Sequence, residues 1–131
     1  MREVQLHQEG RVVCERCFVA ESPLARMRGL LGRRGLDSGQ GLLLQPASSI
    51  HMFFMRFPID AVFLGADGEV VKVARNLAPW RVASCRGAKA VVELRAGEAE
   101  RRDLREGSRL NMSQTAGTSP GPAASLPPFT A

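Results

Sequence analysis

The chain has 131 residues, 44% hydrophobic and 24% charged, which fits one soluble domain and excludes a disordered or membrane-embedded composition. Its net charge of +5 comes from an arginine excess, with Lys72 and Lys89 the only lysines. Arginines alternate with glutamates between Glu98 and Glu106 and there is no Tyr, so nucleic-acid binding is not expected. No apolar run reaches the roughly 18 residues of a membrane span, and the polar start MREVQLHQEG lacks the apolar stretch of a secretory signal, so the cytoplasm is the expected location.

Val4 to Gln8 and Arg11 to Ala20 read as two strands around a Glu9-Gly10 turn. Cys14 and Cys17 lie on the second, where side chains three apart point to opposite faces; without a turn or bulge they cannot share a metal, and no second Cys-x-x-Cys completes a site. With Cys85 they are expected to be reduced, structural thiols, and no cofactor or metal is expected.

Ser22-Pro23 then opens a short helix carrying Leu24, Met27 and Leu31, stopped by Gly35. Arg28 falls on its apolar face. There it either snorkels to water or aims its guanidinium into a cleft or at a buried carboxylate. Gly41 to Gln45 is a buried-type strand ended by Pro46. Ser49 to Met55 reads as extended, which would put His51, Phe53 and Met55 on one face and Ile50, Met52 and Phe54 on the other. Pro58 breaks the ladder, Ile59 to Leu64 resumes it, and Asp67-Gly68 is a tight-turn signal leading into Glu69 to Arg75.

A loop or weak strand follows Trp80 as far as Cys85. Ala88 to Arg95 alternates, with Ala90, Val92 and Leu94 inward and Lys89, Glu93 and Arg95 outward. Gly97 opens a brief helix closed by Gly107, Arg109 to Met112 is a last strand, and residues 113–131 form an uncharged Ser, Pro, Gly and Ala-rich tail expected to be disordered. The domain is thus expected over residues 1–112.

Chemistry concentrates in Ser49 to Leu64, where His51, Arg56 and Asp60 interrupt an otherwise almost wholly apolar stretch. Asp60 shares its side with Val62 and Leu64. A carboxylate there is either tied by backbone amides or an arginine, or stands in an apolar cleft as an acid or base. His51 with Met52 and Met55 has the softness of a copper site, but methionines of such strands fill core gaps and Met52 would face away from His51.

These residues carry a resemblance. Arg28-Gly29-Leu30-Leu31-Gly32-Arg33, Gly41-Leu42-Leu43-Leu44, Ser49-Ile50-His51-Met52 with Met55, Phe57-Pro58-Ile59-Asp60 before Phe63-Leu64, and Val92-Glu93-Leu94 with Gly97 resemble, in order, the family called domain of unknown function 192. The matching motif positions are Arg28, Gly29, Leu30, His51, Met55, Pro58, Asp60, Phe63 and Glu93. This chain departs at Ser108, where the family usually carries an acidic residue, and Cys14 and Cys17 lie outside the pattern. The resemblance implies a compact, mostly antiparallel β-sandwich or barrel-like fold with one or two short helices, mainly β and α+β at the margin. It implies no established activity.

The leading expectation is a cleft bordered by Arg28, His51, Met55, Asp60 and Glu93 that binds a small anionic ligand or a protein partner. The alternatives are a hydrolase or lyase using Asp60 or His51 as acid or base, and an interaction module with an exposed apolar patch around Phe53, Phe54 and Trp80.

Overall fold

A computed structural model describes residues 2–21 and 35–114; the expected 22–35 helix, with Arg28, lies outside the described residues except for its stop at Gly35, as does the tail past Gln114. The strands β1 (Arg2–Gln8) and β2 (Arg11–Ala20) form the expected hairpin, with Glu9 and Gly10 both at positive φ, the geometry a two-residue turn between twisted strands requires. Then follow β3 (Gln40–Leu44), β4 (Ser49–His51), β5 (Ile59–Leu64), β6 (Val70–Leu77), β7 (Val82–Ser84), β8 (Ala90–Arg95), the single-turn helix α1 (Glu98–Arg101) and β9 (Asn111–Gln114).

Seven strands form one sheet in the order β6-β5-β8-β3-β2-β1-β9, and β4 pairs with β7 as a separate ribbon. The sheet is mixed rather than wholly antiparallel: β2 and β3 run parallel, as a long crossover between them allows, and every other pair is antiparallel. Its outer strands approach where Glu69 bridges Arg109 and the Val70 N–H donates to the Ser108 carbonyl at 2.7 Å. The sheet therefore curls into a sandwich-like shape, short of a closed barrel.

Two apolar clusters result. One fills the inside of the curl with Val4, Leu6, Cys14, Val62, Leu94, Leu104 and Leu110 among others. The second lies on the other face, where Ile50 and Ala83 of the ribbon cover Leu42, Ala61, Phe63 and Val91. β3, β5 and β8 are thus covered on both faces, which explains why Gly41-Leu42-Leu43-Leu44 and the segment from Ile59 to Leu64 are apolar without a clean alternation. It also corrects the reading of Glu93 as outward: Glu93 leaves the first cluster's side but is buried on the second.

The opposite-face reading of Cys14 and Cys17 is overturned as well. Val4 pairs with Cys17 and Leu6 with Cys14, so three steps of β2 oppose two of β1 and a bulge falls at Glu15-Arg16. Both thiols consequently face the first cluster and are fully buried; the Cys14 Sγ donates to the Gly39 carbonyl at 3.5 Å, and the neighbouring Cys14 together with burial holds the Cys17 thiol well above its ordinary range. Both are free, and among the described residues no group of three His, Cys, Asp or Glu converges as a metal site.

The bulge leaves room for no side chain at Gly41, whose Cβ would stand 2.9 Å from the Cys14 sulfur, 2.9 Å from Leu94 Cδ2 and 3.1 Å from the Glu93 carbonyl oxygen. Gly41→Ala is therefore expected to lower stability by about 1–3 kcal/mol in urea denaturation. Replacing Cys14 by Ala in the same chain should return part of the loss; if Gly41→Ala is neutral, the packing described is wrong.

Candidate functional site

Asp60 is 1% exposed on β5 and faces the first cluster, as its pairing with Leu94 requires. Three backbone N–H groups converge on it. Its Oδ1 accepts from Asn76 at 2.8 Å, and its Oδ2 from Gly97 at 3.0 Å and Ala99 at 2.9 Å. Each donor has a local cause. Asn76 stands at positive φ in a bulge of β6, where Ile59-to-Ala61 opposes Leu77-to-Ala74; Gly97 and Ala99 are the N-cap and second residue of α1, whose cap supplies no side chain of its own. A shallow cleft of about 270 Å³ opens beside this tie, lined by Asp60, Arg75, Asn76, Ala96, Gly97 and Glu100. Arg75 does not pair with Asp60; its Nη2 donates to the Leu104 carbonyl at 3.1 Å.

Glu93 lies one residue from Leu94 on β8 and so on the opposite face, paired with Ala61 and Leu42. Its carboxyl has no hydrogen-bond partner among the described residues, and burial alone raises its pKa from 4.5 to about 7. Asp60 and Glu93 do not share a cleft, because the sheet runs between them.

His51 is exposed on the outer face of the ribbon, opposite Val82, while Ile50 and Ala83 point inward. The expected extended run to Met55 ends here. Residues 53–54 form a turn, with Phe54 at φ 67°, so Phe53 and Phe54 both emerge and Met52 and Met55 both turn inward. Met52 faces away from His51, as the alternation predicts, which removes the copper pairing.

What gathers round His51 is aromatic. Its ring stacks on Phe53 at 4.6 Å, Phe53 meets Trp80 at 5.9 Å, and Phe54 meets Trp80 at 4.8 Å and 58°. Phe54 is 71% exposed, Trp80 58% and Val82 60%. Backbone bonds stitch the two loops together: the Met52 carbonyl accepts from Trp80 at 2.7 Å and from Met55 at 3.2 Å, and the Met52 N–H donates to Arg81. Arg56 and Arg81 are exposed beside the rings, and neither pairs with a carboxylate among the described residues. Sequence reasoning singled out the three aromatics but missed Arg81 and Val82. The available signal was that residues 46–59 and 76–89 contain no Asp or Glu. No described helix is long and apolar enough to cross a membrane.

The chain belongs to the family described as uncharacterized ACR, domain of unknown function 192, whose model matches residues 4–112. It is 34% identical over 94 residues to a UPF0127 protein of Thermococcus sibiricus, an alignment covering 68% of this chain and 60% of that relative's length. The fold is similar to that of a Sinorhizobium meliloti protein described as a candidate transcription regulator, with TM-score 0.74, 26% identity and coverage of 84% of this chain and 92% of the other. It is also similar to that of a Novosphingobium aromaticivorans protein of unknown function, with TM-score 0.73, 23% identity and coverage of 82% of both chains.

The two carboxylates should respond oppositely to neutralisation. Asp60→Asn loses the charge and places an amide N–H₂ among three N–H donors, so it is expected to destabilise by about 3 kcal/mol. For Glu93 the folded state keeps its proton up to about pH 7 while the unfolded chain releases it near 4.5. Stability should therefore fall by about 3 kcal/mol as pH rises through that window and level off above it. Glu93→Gln should remove the slope and be the more stable protein at pH 8. A wild-type protein with no such slope in urea denaturation at pH 4.5 and 8 would refute this account of Glu93.

Proposed function

We propose that this protein is a binding module that engages a partner through the aromatic and cationic tip formed by residues 51–56 and 80–82. One observation carries the reading: Phe54 and Trp80 are held exposed, against each other, at positive φ. A bulky residue in that backbone region costs on the order of 1–3 kcal/mol, and neither ring returns the cost by entering the core. Strain retained together with exposed apolar area marks a surface kept for contact.

The other readings draw less support. An acid or base role for Asp60 would require it to release the three N–H groups that hold α1 and the β6 bulge. A small-ligand site at Glu93, with Met55 on the same side of the sheet, has in its favour a buried carboxyl without a partner among the described residues, and it leaves His51 and Asp60 as bystanders. The description of the Sinorhizobium protein makes nucleic acid one occupant to test at the tip.

Trp80 is the chain's single tryptophan, so its emission reports directly on the tip. Titration with the separated protein, nucleic-acid and lipid fractions of a cell extract is expected to shift or quench that emission with one of them. Phe54→Gly should abolish the response while folding with unchanged stability, or up to about 1 kcal/mol more from relief of backbone strain. A response retained in full by Phe54→Gly, or absent with every fraction, would overturn the proposal.

A further inference from the structure

We infer that the occupant of the tip is an anionic lipid surface, with Phe54 and Trp80 entering the headgroup layer and Arg56 and Arg81 meeting lipid phosphates. This rests on reading the tip as a docking surface and names what it docks to.

Charge is the first argument. The loops and ribbon that build the tip carry Arg56, Arg81, Arg86 and Lys89, all exposed, and no carboxylate. None of the four joins an ion pair among the described residues. Several arginines elsewhere find acids: Arg16 pairs with Glu3, Arg102 with Glu15 and Glu98, Arg105 with Asp103 and Arg109 with Asp67. The ribbon and its loops thus carry positive charge along their length that no described carboxylate pairs. Arg56 and Arg81 flank the rings, while Arg86 and Lys89 lie toward the other end of the ribbon, where the Cys85 N–H reaches the Ser48 carbonyl and the Ala47 N–H the Lys89 carbonyl. Such charges attract an anionic bilayer over a Debye length without individual contacts.

Shape and ring geometry choose among anionic partners. His51 and Phe53 stack on each other, and Phe54 and Trp80, both more than half exposed, are tilted 58° to one another, so the two projecting rings do not form the parallel platform on which successive bases stack. An acidic protein would need roughly 800 Å² of matching surface on each side, far more than a few projecting rings supply. A bilayer asks for neither. It accepts protruding Trp and Phe side chains at headgroup depth, with guanidinium groups beside them at the phosphates.

The test uses the full chain with vesicles of phosphatidylcholine alone and of phosphatidylcholine mixed with phosphatidylglycerol. Co-sedimentation is expected only with the mixed vesicles, accompanied by a blue shift of Trp80 emission and quenching by brominated acyl chains. Phe54→Ser should weaken sedimentation, and Arg56→Gln and Arg81→Gln should each weaken it about fivefold. Failure to sediment with the mixed vesicles overturns the inference. So does sedimentation with Trp80 untouched by the brominated chains, since the attraction would then involve another surface. A Trp80 response to single-stranded DNA or polyglutamate but not to vesicles overturns the lipid assignment and keeps the docking reading; silence with all three probes overturns both.

Discussion

The architecture depends on one carboxylate meeting three backbone donors. Asp60 stands on a strand covered on both faces, where an unpaired charge would cost several kcal/mol, and it is there because Asn76, Gly97 and Ala99 have nowhere else to donate. A bulge leaves Asn76 without a ladder partner, and a helix start leaves Gly97 and Ala99 without intrahelical ones. A helix of a single turn does not persist alone, so α1 is held in place by what it is tied to. Asp60 holds its N-terminus from the sheet. On its far side Glu98 takes Arg102 at 3.0 Å, and Arg102 reaches Glu15 through two bonds of 2.9 and 3.1 Å and the Val12 carbonyl at 3.0 Å. Glu15 sits in a bulge of β2, so that bulge and the β6 bulge at Asn76 are linked through α1.

The same burial acts differently on Glu93. It stands one residue and one sheet face away from Asp60's neighbour Leu94, in surroundings equally apolar, yet no donor among the described residues approaches it. Asp60 is satisfied and strengthens the fold; Glu93 is not, and its ionisation opposes the fold at neutral pH. Two carboxylates on adjacent strands differ because one faces chain ends that need an acceptor and the other faces Leu42 and Ala61.

Much of this was legible in the sequence where side chains alone decide it. The Glu9-Gly10 and Asp67-Gly68 turns, the apolar runs of β3 and β5, and the side on which Asp60 points follow from turn chemistry and period-two alternation. What was not legible comes from backbone irregularity. The bulge at Glu15-Arg16, which turns Cys17 to the side of Cys14, involves an ordinary exposed Glu-Arg pair. The turn at Phe53-Phe54 lacks the Gly or Asn that would announce positive φ. The partners of Asp60 are main-chain groups 16 to 39 residues away, which no side-chain pattern encodes. Arg28 lies outside the described residues, and its two accounts stand as the sequence left them.

The irregularity at Phe54 connects the core to the surface. Met52 is 1% exposed, and its side chain in the second cluster fixes a backbone whose carbonyl accepts from both Trp80 and Met55. Ile50 and Ala83 anchor the ribbon from the same side. The apolar residues preceding each exposed ring are therefore what hold the rings out, and the strain at Phe54 and Trp80 is balanced by burial a few residues away. A loop held only by its own turn would relax and fold its aromatics onto the protein; this one cannot without withdrawing Met52 from the core. The tip is consequently preorganised, so ordering it on contact costs little conformational entropy, and a small apolar area suffices where a flexible loop would need a larger one.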